Sequence, residues 1–147
     1  MVSTLKFLST LSAALFAGAA LYINLAEHPA RLSLETRQAA LQWAPSYKRA
    51  TWLQAPLAII SFLCGVLVAI ITGDTHWLVP AFLVGAVVPF TLVVIMRANR
   101  ELLAVGRDLS SAGTRSLLVR WGQLHAVRTV LSLMASAVYL WLLVGSY

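Results

Sequence analysis

The residues best suited to chemistry form one periodic set near the carboxyl end of the chain. They are aromatic or polar and recur in steps of four, three, four and four residues: Trp121, His125, Arg128, Ser132 and Ser136. These steps place them on one face of an α-helix. A histidine can take up a proton near neutral pH, and an arginine can stabilise a developing negative charge. The spacing therefore predicts a helix face that carries a general base and a cation one turn apart.

The composition indicates which kind of protein carries this helix. Hydrophobic residues make up 60% of the 147 residues, charged residues only 11%, and the mean hydropathy is +0.82. A soluble domain carries roughly 25% charged residues. The values argue against a soluble globule and against a disordered chain, which would be polar. The lone Cys64 excludes a disulfide scaffold within the chain.

Four apolar stretches have the length of membrane-spanning helices. They cover about residues 7–26, 53–72, 77–96 and 120–145. A helix of twenty residues is about 30 Å long, the thickness of the hydrocarbon core of a bilayer. Backbone groups in lipid must be hydrogen-bonded within the segment, so the stretches are expected to be helices. We predict an all-α integral membrane four-helix bundle, a single transmembrane domain over residues 1–147.

The connection between the first two spans contains two prolines. A residue before proline disfavours the helical conformation, so we expect the first helix to end at His28, before Pro29. Polar and apolar residues are mixed from there to residue 52. With Pro45 interrupting them, they predict a short, kinked amphipathic helix. The aromatic rings in this stretch suit the lipid interface: Trp43, Tyr47 and Trp52.

The basic residues predict the orientation of the chain. Ten of the eleven fall in the two segments that follow the first and the third span, and only Lys6 belongs to the other side. Positive charge accumulates on the cytoplasmic side of membrane proteins. We therefore expect both termini to be extracytoplasmic, in a bacterial inner membrane. In so apolar a chain, this charge favours a membrane surface over nucleic acid as the partner.

Further polar residues fall at the same depth as the helix-four set. Asn24 lies one turn before His28, and Asn99 follows the third span. Glu27 is an available partner for either Arg31 or Arg128, and a lone Arg128 could instead reach the lipid headgroups. Because an ionisable group is costly inside a membrane, we expect the polar residues of helices one and four to be neighbours.

Thr91 lies deeper in the third span, two residues after Pro89. Its hydroxyl could bond back to a carbonyl of the preceding turn or could serve a ligand. By helical rise it is about 12 Å deeper than Asn99. A pocket that reaches from the membrane interface down to Thr91 would suit a flat aromatic ligand that enters from the membrane.

Motifs for several other chemistries are missing from the sequence. It contains no glycine-rich phosphate loop, no His-Glu-x-x-His, no Cys-x-x-Cys and no Glu-x-x-His pair of a di-iron bundle. We interpret Cys64, among aliphatic residues in the middle of a span, as a small core residue. We predict no metal or cofactor, with one alternative left open: His28 and His125 as axial ligands of a haem.

The chain resembles the DUF1772 family, also called the anthrone oxygenase-like family, over nearly its whole length. The resemblance rests on four segments in order: Leu21-Tyr22 to Glu27-His28-Pro29-Ala30, then Pro89-Phe90-Thr91, then Asn99-Arg100-Glu101-Leu102, then Trp121-x-x-x-His125-x-x-Arg128. It implies oxidation of polyketide anthrones to anthraquinones by dioxygen, without a known cofactor. It also implies a role in that chemistry for Thr91 and His125.

We consider two further hypotheses beside a cofactor-free oxygenase of a lipophilic aromatic: a non-catalytic membrane protein that binds a hydrophobic ligand or a partner, and the haem protein. The oxygenase hypothesis assigns catalysis to His125, Thr91 and Arg128. It assigns substrate binding to residues of the same membrane face: Asn24, His28, Asn99 and Trp121. The expected partners are the bilayer, an anthrone-like substrate and dioxygen. A homo-oligomer is left open, because glycines in the spans allow close helix contacts.

Overall fold

Four long helices make up the computed structural model, which describes residues 1–145. They are α1 (Val2–Leu32), α2 (Thr36–Thr72), α3 (Thr75–Leu102) and α4 (Ala112–Val144), and residues 1–145 contain no strand. All four are long and apolar enough to cross a membrane. The prediction of an all-α membrane bundle is confirmed. Residues 146 and 147 of the predicted single domain lie outside the described part.

Helix α1 does not end at His28, so that prediction was wrong. An α-helix (Val2–Tyr22) passes into one wide turn of π-helix (Ile23–Glu27), and the α-helical form then resumes through Leu32. In the wide turn the N–H of His28 donates to the carbonyl oxygen of Ile23, five residues back. Pro29 lacks an N–H and would clash with the carbonyl of the turn before it. The wide turn lies directly before Pro29, and the helix continues past the proline.

Helix α2 is also longer than predicted. It is continuous from Thr36 to Thr72 with Pro45 and Pro56 inside it, so no separate amphipathic helix precedes the second span. Membrane helices tolerate internal prolines because neighbouring helices and local adjustments satisfy the freed backbone groups. The continuation turns Trp43 inward: only 1% of it is exposed, so its placement at the lipid interface was wrong as well.

Helix α3 is built from several short segments. In order they are a 3₁₀ turn (Thr75–Trp77), two α-helical segments (Leu78–Gly85 and Val87–Phe90), a π-helical turn (Thr91–Ile95) and a last α-helical segment (Met96–Leu102). The irregular part surrounds Pro89, and proline and π-turns are the usual causes of helix kinks. As a result, Thr91 lies at the start of a second wide turn in the bundle.

The helices pack in a ring in which α1 and α3 each contact α2 and α4. Three buried clusters follow one another along the bundle, centred on Trp121, Ala135 and Tyr139. The outward faces carry large exposed apolar side chains, such as Val93 and Ile70. Such a surface suits lipid, where tight packing rather than water exclusion holds the helices together.

Two connections meet at one end of the bundle, which we call the basic end: residues 33–35 between α1 and α2, and residues 103–111 between α3 and α4. Most of the basic residues expected in these connections lie on the flanking helices instead, such as Arg31, Arg37 and Arg115, and Arg107 lies in the second connection. The guanidinium group of Arg115 on α4 donates to the carbonyl oxygens of Leu32 and Leu34. This contact fastens the start of α4 to the first connection.

The opposite end carries a tight turn between α2 and α3. Gly73 ends α2 with a φ of +73°, a conformation that favours glycine. Asp74 then accepts hydrogen bonds from the ring and the backbone N–H of His76, which hold the pKa of the Asp74 carboxyl below its ordinary value. Both side chains are exposed.

Candidate functional site

The polar face of α4 points into the bundle. All five members of the periodic set are buried: Trp121, His125, Arg128, Ser132 and Ser136. Ser132 and Ser136 donate hydrogen bonds to carbonyl oxygens of their own helix. The side chains that engage other helices are therefore Trp121, His125 and Arg128.

His125 is held by Asn24 of α1. The Nδ2 group of Asn24 donates to the carbonyl oxygen of Gly122 at 3.0 Å, so its Oδ1 atom is the one that faces His125. Oδ1 lies 2.7 Å from His125 Nδ1 and can only accept a hydrogen bond. The proton of the neutral ring is therefore on Nδ1, and the lone pair is on Nε2. Among the described residues Nε2 has no hydrogen-bond partner, so it is the basic atom of the site.

The wide turn of α1 is what brings Asn24 to α4. A π-turn inserts an extra residue into the helix and frees a backbone carbonyl. Thr129 Oγ1 of α4 lies 3.2 Å from the carbonyl oxygen of Ala20 and 2.6 Å from Asn24 Oδ1. The amide of Asn24 thus meets a hydroxyl, an imidazole and a backbone carbonyl of the same helix. This arrangement fixes the orientation of His125.

His28, the other predicted histidine, is fully engaged. Its Nε2 atom donates to the carbonyl oxygen of Leu118 at 2.9 Å, and its Nδ1 atom accepts from Arg31 at 3.1 Å. The ring lies against Gly122, where a Cβ atom would be only 2.6 Å from Nε2. With both ring nitrogens hydrogen-bonded and one edge of the ring against Gly122, His28 fastens α1 to α4. Neither nitrogen is free to ligate a haem iron in this arrangement, and the substrate-binding role of His28 stays a prediction.

Glu27 pairs with Arg31 and not with Arg128. The Arg31 guanidinium also donates to Gln42 Oε1 and lies near Ser46 of α2. Ser46 in turn donates to the Glu27 carboxylate. The buried guanidinium of Arg31 thus has both a negatively charged partner and further hydrogen-bond partners. The arrangement joins α1 to α2 at the basic end.

Asn99 and Trp121 form another buried pair. Trp121 Nε1 donates to Asn99 Oδ1 at 2.9 Å, and the Trp121 ring packs edge-on against Trp43 and close to His125. Two N–H groups here, Asn99 Nδ2 and Trp43 Nε1, are buried without an acceptor among the described residues. The pair therefore lies beside His125, in contact with it through the Trp121 ring.

Arg128 is a buried cation without a carboxylate partner among residues 1–145. One terminal nitrogen donates to Gln54 Oε1 of α2 at 2.8 Å, and the guanidinium carbon lies 5.4 Å from the ring centre of Phe16. Arg128 Nε and Gln54 Nε2 are both buried donors with no acceptor in that part of the chain. Arg128 therefore points into the bundle and does not pair with Glu27. It presents unsatisfied donors to its surroundings.

A cavity of about 130 Å³ lies beside Arg128. Arg128 and Thr91 both line it, together with Tyr47 and Thr51 of α2 and apolar residues of α1, α2 and α3. The Thr91 hydroxyl donates to the Val87 carbonyl oxygen at 2.7 Å, so only its lone pairs remain for a ligand. The cavity thus combines a cation, an acceptor hydroxyl and apolar walls.

The predicted site residues fall into two groups instead of surrounding one pocket. Thr91 and Arg128 line the cavity. The remaining five lie in the hydrogen-bonded contact between helices and do not line that cavity: Asn24, His28, Asn99, Trp121 and His125. The residues of α1 and α4 are neighbours, as predicted, because Asn24 bonds His125. A continuous pocket from Asn99 to Thr91 was expected, and the cavity described here does not join them.

Gln54 is the residue that the sequence reasoning missed. It is 1% exposed and is the partner of Arg128. An amide inside an apolar run is unusual enough to mark a functional position. The run from Leu53 to Thr72 was interpreted as a plain span, so this signal went unused.

Residues 1–145 contain no cluster of three or more histidine, cysteine or acidic side chains that could hold a metal ion. Cys64 is only half buried, so its interpretation as a core residue holds in part.

Comparison with known sequences identifies the family. The sequence profile described as anthrone oxygenase matches residues 43–138, about two thirds of the chain. The chain belongs to the anthrone oxygenase family. The match includes Gln54, Thr91, His125 and Arg128, and begins after Asn24. The resemblance inferred from the sequence motifs is confirmed.

One relative is the anthrone oxygenase tpcL of Aspergillus fumigatus. It is 43% identical over 54 residues, which cover 35% of this chain and 34% of that protein. The matched segment therefore spans about a third of the length of this curated relative. No solved structure matches the chain.

Proposed function

We propose that this protein is an oxygenase of a lipophilic aromatic of the anthrone type, and that its own side chains supply the base and the oxyanion site. The observation that carries the proposal is the Arg128 cavity. There, a buried cation without a carboxylate partner among residues 1–145 has an unused donor beside apolar walls, one helical turn from His125. Its partner Gln54, which does not line this cavity, has a second unused donor. Membership of the anthrone oxygenase family supports the same chemistry.

His125 is the proposed general base. An anthrone has an acidic CH₂ group between two aryl rings, conjugated with a carbonyl group. The lone pair on Nε2 takes one of its protons, while the Asn24 hydrogen bond holds the ring in the required tautomer. His125 does not line the Arg128 cavity, so the bound ring must displace the side chains between them. Catalytic contacts often form only in the substrate complex.

Arg128 is the proposed oxyanion site, and Gln54 is its positioning partner. Removing the proton places negative charge on the carbonyl oxygen of the substrate. Donors fixed in a low-dielectric site stabilise such a charge without reorganisation. An enolate oxygen in the cavity would accept from Arg128 Nε, which lacks an acceptor among residues 1–145, while Gln54 Oε1 holds the guanidinium from outside the cavity. It would also give the buried guanidinium the negative partner that such a group needs. A phenolic hydroxyl of the substrate could donate to Thr91.

The reaction balances with dioxygen as the only oxidant. The carbanion passes an electron to dioxygen, and the two radicals combine into a C–O bond, which gives a peroxide. Loss of the second C–H proton then breaks the O–O bond and forms the C=O group. One oxygen atom of dioxygen ends in the quinone and the other in water. His125 gives the first proton to the peroxide, which becomes a hydroperoxide. It then accepts the second C–H proton and gives it to the departing hydroxide, which leaves as water.

We also propose that the basic end faces the cytoplasm of a bacterial inner membrane and that both termini are outside. The connections 33–35 and 103–111 meet at this end, and Arg37, Arg107 and Arg115 lie in or beside them. Single cysteines introduced at Ser3 and at Ser110 test the orientation with a membrane-impermeant thiol reagent on intact cells. Labelling at Ser3 alone is expected, and labelling at Ser110 alone would reverse the assignment.

The activity is tested by dioxygen uptake with anthrone, using purified protein in lipid nanodiscs. The expected result is one dioxygen consumed for each anthraquinone formed, at a rate well above that of heat-denatured protein, without release of hydrogen peroxide. Binding of the tricyclic compound without uptake would instead support the non-catalytic ligand-binding protein. If the protein neither binds the compound nor consumes dioxygen, both hypotheses are refuted.

A further inference from the structure

A second, larger cavity adjoins the Arg128 cavity. It measures about 570 Å³ and lies between α2 and α3 on the lipid side of the bundle. We call it the α2–α3 groove, and its lining is almost wholly apolar: Ala58, Ile59, Phe62, Leu63, Phe82, Gly85, Ala86, Val88 and Pro89. Ala58 and Val88 also line the Arg128 cavity. The two spaces therefore share a wall.

The Arg128 cavity alone is too small for a ligand of several rings. Ligand sites for drug-sized molecules have volumes of about 300–1,000 Å³. The cavity provides about 130 Å³, whereas the α2–α3 groove exceeds the lower bound by itself. A molecule whose oxygen atom reaches Arg128 must extend past Val88 into the groove.

Local sequence explains why the groove exists. A Cβ atom at Gly85 would lie 2.7 Å from the Phe62 ring, so the missing side chain is what lets that ring pack against α3. The Phe62 and Phe82 rings meet edge to face at 5.6 Å. Next to them the α-helical segments of α3 are interrupted at Ala86, before Pro89. The result is a wall of aromatic rings on which a flat ring system can stack.

We infer that the substrate enters sideways from the bilayer between α2 and α3, and that most of its ring system rests in the α2–α3 groove while its oxygen atom reaches Arg128. The inference rests on the proposed function and specifies its substrate class: a flat, multi-ring amphiphile with an oxygen at one end. Lipid chains are as apolar as the groove, so burial there gives little net attraction. The selectivity for a ligand therefore comes from its hydrogen bond to Arg128 and from the shape of the groove. A hydrocarbon of equal size, which has no oxygen atom, should not bind.

The test uses a hydroxyanthraquinone that carries an aryl azide on the ring farthest from the hydroxyl group. It is photolysed with the protein in nanodiscs, and the labelled residues are identified by mass spectrometry. The expected labels fall on Phe62, Leu63 or Phe82, and an excess of unlabelled hydroxyanthraquinone removes them. Labels that this competitor leaves unchanged would show a surface covered by bilayer lipid, and would overturn the inference. Cross-links between two copies across the groove would overturn it as well.

A substitution at the shared wall sharpens the test. Val88→Trp narrows the junction at a half-buried position, and labelling of the groove is expected to fall about tenfold, the effect of overpacking by one large side chain. Val79→Trp is the matched control, because it makes the same change on α3 at a lipid-facing site that lines neither cavity. Equal loss in both variants would contradict the entry route.

The proposed function and this inference can fail separately. Competed labelling of the groove without dioxygen uptake would keep the binding mode and refute the oxygenase. Uptake that Val88→Trp leaves unchanged, with labels elsewhere, would keep the oxygenase and refute the entry route.

Discussion

Two His-x-x-Arg segments lie near the basic end of the bundle and differ in how far their hydrogen bonds are satisfied. On α1, both ring nitrogens of His28 are bonded, and Arg31 has a carboxylate, an amide and a hydroxyl as partners. On α4, within residues 1–145, Asn24 bonds one nitrogen of His125, and the Gln54 amide is the one hydrogen-bond partner of the Arg128 side chain. The same residue types at the same spacing thus form one satisfied pair and one unsatisfied pair.

The difference separates a structural role from a chemical one. A buried charge is costly unless it is paired, so the satisfied pair explains how α1, α2 and α4 are joined. The unsatisfied pair has no such explanation within residues 1–145. Its free atoms are a base and several donors, beside a cavity that opens toward an apolar groove. This contrast is why we assign the chemistry to α4.

The largest effect is expected at His125. His125→Ala should lower anthrone-dependent dioxygen uptake by about 10²–10⁴-fold, the usual contribution of a general base. The matched control is His76→Ala, an exposed histidine at the opposite end, which should leave the rate unchanged. Full activity of His125→Ala, in a preparation whose wild type is active, would discard the mechanism.

Arg128 should come next. Arg128→Gln removes the charge from the oxyanion site and should lower kcat by about 10²–10³-fold, as for the loss of one oxyanion donor. Arg120→Gln, on the exposed face of the same helix, is the control and should have no effect. If Arg128→Gln turned over substrate at the wild-type rate, as Arg120→Gln is expected to do, Arg128 would have no role in the reaction.

Arg31 should affect stability and leave the chemistry intact. Arg31→Met leaves Glu27 without its cation and should lower the free energy of unfolding by about 1–3 kcal/mol. Thermal unfolding in detergent measures this, with the exposed Arg37→Met as the comparison. The remaining folded protein should keep its kcat. A lower kcat without loss of stability would mean that the satisfied pair takes part in the reaction.

Thr91 should give the smallest effect. Its hydroxyl proton is bound to the Val87 carbonyl, so toward a ligand it acts as an acceptor and not as a donor. One hydrogen bond contributes about 0.5–1.5 kcal/mol, and Thr91→Val should therefore lower kcat/KM by up to about tenfold. Thr91→Ser should retain the wild-type value. A much larger loss in Thr91→Val would place Thr91 with the residues that act on the reacting atoms.

The sequence predicts the fold well because apolar length alone defines a membrane span. The ends of the helices were harder to predict, because proline rules describe isolated helices. Pro29 is accommodated by the wide turn before it, and Pro45 lies inside a continuous helix α2. Both depend on neighbouring helices, which no local pattern records.

The site was predicted in part for a related reason. Helical periodicity placed His125 and Arg128 on an inward face, and the structure has them there. The partners come from other helices: Asn24 reaches His125 because of a π-turn, and Gln54 meets Arg128 across the bundle. Periodicity within one helix contains no information about such contacts, so the division into a satisfied and an unsatisfied pair could not be foreseen.

The central claim is that the donors at Arg128 stabilise an oxyanion of a bound aromatic, and the visible spectrum of a hydroxyanthraquinone tests it without turnover. Its ionised form absorbs at longer wavelength than its neutral form. At a pH where the free compound is neutral, wild-type protein and Arg31→Met should both bind it as the oxyanion, and Arg128→Gln should not. The oxyanion spectrum in Arg128→Gln, or the neutral spectrum in every bound sample, would contradict the account.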